Sequence, residues 1–294
     1  MRRRELGADK AGWRLSRRYN GLLVIPGLFL LVFFLWPLMR VVVRSFVDPA
    51  PGLVNYLAIL ESPVFLRVLY NTVETAAVVT LLCLVIGYPI AFVMARAEGL
   101  KLRIVAALVV IPLWISVVIR SYAWMVVFQR RGVLNEAIGA LMATVGETHT
   151  PIQFLPGALA VHVGMVHIML PFMILPLVAT MRNIDRRLLR AAGVLGADPV
   201  QSFLRVFLPL SLPGVSAGSA LVFMMSLGFY VTPALLGGPR HMMSAVMIEQ
   251  QANQLLNWGL ASALATILLL VTLAIYGVHA RVSGVGLAGA GGRA

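Results

Sequence analysis

"RRLLRAAGVLGADPVQSFLRVFLP", Arg186–Pro209, puts four arginines into a chain that is otherwise long stretches of hydrocarbon. Its local signals describe two short helices joined at an elbow. Asp185 is placed to cap a helix through Leu188, Leu189, Ala192 and Leu195, which Gly196 closes at the C′ position. Asp198 followed by Pro199 reads as a second cap with proline at the first helical position. Val200, Phe203, Leu204 and Phe207 then recur at i, i+3, i+4 and i+7, which predicts one apolar stripe. Pro209 is expected to end that helix.

The flanks explain why such an elbow stands out. The chain has 294 residues, 60% hydrophobic and 12% charged, against roughly 25% charged in ordinary soluble domains. A surface this apolar needs the bilayer as its solvent, and a spanning helix needs about 20 residues. Six segments qualify, at about Gly21–Val43, Val73–Ala95, Ile104–Phe128, Gly157–Thr180, Leu210–Leu235 and Trp258–His279. Prolines lie within most of them, which lipid tolerates only where neighbouring helices satisfy the freed carbonyls. The expected fold is therefore an all-α polytopic bundle. With a cytoplasmic N-terminus, 17 of the 24 Lys and Arg residues fall on the inner side, so both termini and the elbow are expected there. Residues 1–20 form a basic cytoplasmic tail, 21–280 the six-helix domain with an inner loop over 181–209, and 281–294 a flexible Gly/Ala-rich tail. "SRRYNGLL" from Ser16 has twin arginines, but its apolar run is longer than that of a signal peptide, so no cleavage is expected.

The +13 net charge lies in short segments between apolar runs, a placement that points to membrane lipids and not to nucleic acid. The lone Cys83 sits in an apolar run and is expected to be a buried hydrophobe. For the elbow, two readings stand on the residues alone. It could lie on the membrane surface with its arginines toward anionic lipid. It could equally be a docking surface, because Ala191, Ala192, Gly193, Gly196 and Ala197 would let a partner's backbone come close.

A resemblance bears on that choice. Ala191, Ala192, Gly196, Val206, Leu208 and Pro209 stand in the spacing "xAA-x3-G-x9-V-x-LP", which resembles the EAA loop of permease subunits of bacterial binding-protein-dependent ABC importers. "IRSYAWM" (Ile119–Met125), "LPFMILPL" (Leu170–Leu177), "LPLSLPGVSAG" (Leu208–Gly218) and "FYVTPALLGG" (Phe229–Gly238) are similar to its spermidine/putrescine-type branch. The resemblance implies a type I ABC importer permease fold with six transmembrane helices in the bacterial inner membrane. It implies that the elbow is a coupling helix received by an ABC ATPase dimer, through Leu188, Arg190, Ala191, Ala192, Gly196, Ala197, Phe203 and Pro209. It further implies a second, different permease subunit and an extracytoplasmic solute-binding protein as partners. ATP and Mg2+ would sit on the ATPase, with no cofactor on this chain. Arg190 departs from the pattern, since the family usually has Glu there.

The remaining residues exclude more than they assign. No Gly is followed by Lys, so a Walker-type phosphate loop is absent and this chain is not expected to hydrolyse ATP. No H-E-x-x-H occurs, and His162 and His167 are five apart, so packed histidines are expected and no metal site. No nucleophile elbow is expected either, and no catalytic residue is assigned. Glu74 and Arg120 are too few for an ion relay within the spans, which weighs against an ion-driven carrier. Arg120, about eight residues from the outer end of its span, can snorkel to the headgroups or turn inward toward a carboxylate. A path for a cation would use aromatic faces and carboxylates, for which Tyr122, Trp124, Phe128, Tyr230 and Glu249 are candidates alongside Arg120. Gly214 and Gly218 form a G-x-x-x-G suited to close contact, within the chain or with a second permease. Two alternatives to a polyamine importer remain open: a non-transporting membrane scaffold, and a permease of this class for another small solute.

Overall fold

A computed structural model describes residues 24–144, 146 and 150–282; the two expected tails lie mostly outside this range. In chain order the helices are α1 (Val24–Val47), α2 (Val54–Glu61), α3 (Pro63–Arg96), α4 (Gly99–Trp114), α5 (Val117–Phe128) and α6 (Val133–Thr144). Then come α7 (Ala158–Arg182), α8 (Arg186–Val194), α9 (Pro199–Leu227), α10 (Val231–Leu236), α11 (Ser244–Glu249) and α12 (Trp258–Val282). No strand occurs among the described residues.

The core is α3, α7 and α9. Met165, Met169 and Met173 project from one side of α7 at a spacing of four, all fully buried. Glycines allow the neighbours this close. A Cβ on Gly87 of α3 would stand 3.2 Å from Met173 Cγ, and one on Gly218 of α9 would stand 2.8 Å from Met173 Sδ. At Gly214 it would meet Thr180 at 2.8 Å. The G-x-x-x-G therefore packs within the chain, against α7. Cys83 is buried in the same core, its Sγ 3.7 Å from the Val166 carbonyl oxygen. Tyr88 and Ser211 share a hydrogen bond at 2.8 Å, tying α3 to α9 as well. The three helices form one body.

Three expectations about the spans are corrected. The segment Ile104–Phe128 is not one helix, because the chain leaves helical geometry at Ile115 and Ser116 and bends by 100° between Gly99–Trp114 and the following Val117–Thr144. Pro112 already removes one rung of the α4 ladder, and Ile115 N–H closes the last turn onto the Pro112 carbonyl at 3.2 Å. The segment Leu210–Leu235 is also two pieces, with a break at Gly228–Tyr230 between α9 and α10. Pro209 does not end a helix. A π turn at Phe203–Phe207, in which Leu208 N–H reaches back to the Phe203 carbonyl, opens the coil just ahead of the proline ring and lets α9 run through.

The expectation of no nucleophile elbow is wrong as spelling. Gly214-Val215-Ser216-Ala217-Gly218 reads G-x-S-x-G, and Ser216 Oγ lies 3.0 Å from His279 Nε2. That elbow requires a turn between strand and helix. Here the pattern sits inside a continuous helix and serves helix packing.

The long helix α3, with 34 residues, spans about 51 Å at 1.5 Å per residue, so it outreaches the hydrocarbon layer. At the end opposite the elbow, asparagines fasten the connecting segments. Asn135 donates to the Ile152 carbonyl at 2.9 Å and accepts from its N–H at 2.8 Å. Asn55 donates to the Ser45 and Asp48 carbonyls, and Asn71 to those of Arg240 and Met242. Arg44 lies 5.0 Å over the Trp258 ring, so α1 and α12 run antiparallel from that end. Both described ends of the chain therefore fall toward the elbow.

Candidate coupling elbow and transport path

The elbow is built as its caps dictate. Asp185 Oδ1 accepts from Arg187 N–H at 2.8 Å, and Asp198 Oδ1 from Gln201 N–H at 2.7 Å. Between them Gly196 takes φ +88°, the left-handed conformation that a helix stop requires. Ala197 N–H then bonds back to the Ala192 carbonyl at 3.0 Å. A second layer fixes the elbow to the core. Phe203 and Phe207 stack at 5.8 Å, and Phe92 of α3 meets both edge-on at 5.6 and 5.1 Å. Arg96 covers the Phe92 ring at 3.8 Å, a cation–π contact. Arg182 donates to the Met94 carbonyl at 3.3 Å, closing the inner ends of α3 and α7.

Two details depart from the sequence pattern. Val200, Phe203, Leu204 and Phe207 do not share one stripe: Phe207 is buried and Phe203 half-buried, while Val200 and Leu204 are exposed. The π turn is the reason, since a wider coil aligns residues four apart and separates those three apart. Leu195 does not join Leu189 on the inner side. The helix stops at Val194, and Leu195 is its capping residue, so both project from the tip at 88% and 87% exposure. The signal for this was present in Gly196, which places the preceding residue off the helical stripe. Leu188, Arg190, Ala191, Gly196 and Pro209 are exposed, and Ala192 and Ala197 half-buried. The result is a rigid apolar tip beside an open cleft of 740 Å³, walled by Tyr88, Phe92, Leu189, Ala197 and Phe203.

The proposed path residues gather at a second place. The breaks before α5 and α10 lie side by side, joined by a 2.8 Å hydrogen bond between Ser121 and Thr232 hydroxyls. Gly164 of α7 closes the third side; a Cβ there would stand 2.7 Å from Thr232 Cγ2. Trp124 Nε1–H donates to His167 Nδ1 at 3.0 Å and its ring stacks on Phe128 at 5.3 Å, so His167 is a packed, hydrogen-bonded histidine. Arg120 does not snorkel. It is 6% exposed, and its Nε and Nη1 are sealed in without hydrogen-bond partners. Tyr122 and Tyr230 are exposed on the outside of the same joint. Glu249 is not part of it. It lies on α11, which packs against α12 and α3, and accepts from Gln254 at 3.4 Å. Glu74, the other main candidate for an ion relay, is exposed on α3. Among the described residues no cluster of three His, Cys, Asp or Glu could hold a metal.

Known proteins resemble this chain in sequence and in overall fold. Residues 17–283 fit the family described as "Binding-protein-dependent transport system inner membrane component". The chain belongs to that family. It is 35% identical over 220 residues to the spermidine/putrescine transport system permease protein PotB of Haemophilus influenzae, covering 74% of this chain and 76% of that one. It is 33% identical over 227 residues to PotB of Escherichia coli, covering 77% and 81%. It is also 30% identical over 259 residues to the molybdenum transport system permease protein ModB of Mycobacterium bovis, covering 87% and 92%. The permease fold is that of a bacterial ABC transporter involved in the import of the acidic polysaccharide alginate, with a TM-score of 0.71, 20% identity and coverage of 97% and 99%. This permease is thus a type I ABC importer subunit of a multi-pass inner-membrane system, and its elbow is that family's coupling helix.

Proposed function

We propose that this permease forms half of an ATP-driven import path for a polyamine in the bacterial cytoplasmic membrane. A second, different permease supplies the other half. An ATPase dimer holding ATP and Mg2+ receives the elbow, and a solute-binding protein docks at the opposite end. Both termini are cytoplasmic in this reading, which puts the arginine-rich end of the bundle inside. The observation that carries it is the elbow itself: an apolar tip, held by two aspartate caps and an aromatic stack, protruding from the bundle with no described residue covering it. Leu188, Arg190, Ala191, Ala192, Gly196, Ala197, Phe203 and Pro209 belong to it, with Val194 and Leu195 as its point.

Because the elbow is bonded to α3 and α9, and those pack on α7 through Gly87, Gly214 and Gly218, a push on the tip moves the three core helices together. Alternating access then follows as a two-state equilibrium that ATP and the loaded binding protein both bias. The polyamine assignment is supported by the spermidine/putrescine permeases among the relatives and by Tyr122, Trp124 and Tyr230, whose rings suit ammonium groups. The test is co-purification with the neighbouring ATPase and second permease, followed by ATP hydrolysis and spermidine uptake with and without the binding protein. Binding-protein-stimulated turnover with spermidine uptake is expected. A lone chain without an ATPase would contradict the importer, and stimulated turnover without polyamine uptake would contradict only the cargo.

A further inference from the structure

Two cavities adjoin at the elbow end of α3. The first, of 320 Å³, lies between Arg96 of α3, Met181 and Arg182 at the end of α7, and Leu189 and Phe207. Two guanidinium groups line it, and no described acidic residue does. Both are held in place. Arg96 lies 3.8 Å over the Phe92 ring and 5.5 Å from that of Phe207, and Arg182 donates to the Met94 carbonyl at 3.3 Å. A guanidinium carries five N–H donors in a fixed fork, so that one bond leaves Arg182 with donors for an oxyanion. Arginine forks match phosphate oxygens in shape as well as in charge.

The second cavity is the open cleft of 740 Å³ beside the elbow, which shares Arg96 and Leu189 with the first. Its walls are mainly apolar, with Pro89 and Phe92 of α3 facing Val200 and Phe203. From Arg96 to Tyr88 is about 12 Å along α3 at 1.5 Å per residue, directed toward the middle of the span. A soluble anion would use only the first cavity, and a hydrocarbon only the second. A molecule with an anionic head and an apolar tail uses both. Basic pockets between membrane helices on the cytoplasmic side take lipid headgroups. We propose that the adjoining cavities hold one anionic phospholipid, its phosphate between Arg96 and Arg182 and an acyl chain along the Phe92–Phe203 cleft. The chain would then fill the space between α3 and the elbow and brace one on the other. Binding does not depend on the importer reading. The placement of the lipid in the inner leaflet, and any effect on coupling, rest on it.

The test starts with the purified full-length chain in detergent and its thermal unfolding midpoint, which a ligand of the folded state raises. Phosphatidylglycerol should raise it by a few degrees. Phosphatidylcholine with the same acyl chains should not, nor should glycerol 3-phosphate, the head without the tail. Arg96→Gln with Arg182→Gln should abolish the rise. Lys101→Gln with Arg103→Gln removes the same charge from exposed positions outside both cavities and should keep it. An equal rise with phosphatidylcholine would overturn the charge pairing. An equal rise with glycerol 3-phosphate would replace the lipid by a soluble phosphate, and loss of the rise in both double variants would reduce binding to net charge. A second measurement needs no substitution, in case the loss of Arg182 unfolds the bundle. Phosphatidylglycerol with a photoreactive acyl chain should crosslink the wild type within residues 88–92 or 199–203, and crosslinks confined to other segments would overturn the site. Lastly, the assembled transporter in vesicles of phosphatidylcholine alone should import less spermidine per ATP hydrolysed than in vesicles that also contain phosphatidylglycerol. Equal coupling would overturn the bracing role and leave the importer reading standing.

Discussion

The elbow and the α5–α10 joint are built on opposite principles. In the elbow the caps are satisfied within the chain, by Asp185, Asp198 and the Gly196 turn, and what faces outward is an apolar point, Val194 and Leu195, flanked by the exposed Arg187, Arg190 and Arg205. At the joint the apolar packing is complete, with Gly164 against Thr232 and Trp124 on Phe128, and what is left over is a charge. A push needs a stiff contact that can be made anywhere along a fitted surface. A gate needs an interaction that exists in one state and not in another. The difference teaches that one chain can leave an apolar point exposed at one end and a buried charge to be balanced at another.

The comparison can be broken by substitution, and the largest effect is expected at Gly196. Gly196→Asp puts a charged side chain on the tip at φ +88°, where a Cβ is strained. Uptake should be abolished while membrane insertion persists; unchanged uptake would show that the tip's shape is irrelevant. Next is Gly218→Leu, which drives a side chain into Met173 Sδ. Overpacking of this kind costs about 1–3 kcal/mol, so the unfolding midpoint should fall, and an unchanged midpoint would mean that α7 and α9 are not locked. Asp198→Ala removes one cap, worth about 1 kcal/mol. Coupling between ATP hydrolysis and uptake should weaken without being lost. The smallest effect is expected for Arg190→Glu, at an exposed position of the elbow. If the elbow works by shape, uptake should stay within a factor of about two, as for surface changes in general; complete loss would place an electrostatic contact on the tip.

How far each region can be read from sequence follows from the same contrast. Capping is local chemistry, so Asp185, Gly196, Asp198 and Pro199 announce the elbow before any tertiary contact is known. The apolar runs announce the bundle for the same reason. The breaks at Ile115–Ser116 and Gly228–Tyr230 are not announced, because prolines are spread through nearly all the spans and only packing decides which of them interrupts a helix. Arg120 was ambiguous for a related cause: the break turns α5, and with it the direction of every side chain on it, by an angle that hydropathy does not contain. The π turn at Phe203–Phe207 likewise splits a stripe that an ideal helix would keep together, and it carries the chain through Pro209. Leu195 was misplaced by one residue of helix length, which was enough to turn a core position into the tip.

The most direct test of the central claim is the accessibility of the tip. Leu195→Cys can be labelled with a membrane-impermeant maleimide, since the one native cysteine, Cys83, is fully buried. Labelling should occur in inside-out vesicles stripped of the ATPase, be suppressed when the ATPase is restored, and be absent from intact cells. Labelling from the outside of intact cells, or labelling that the ATPase does not diminish, would contradict the account.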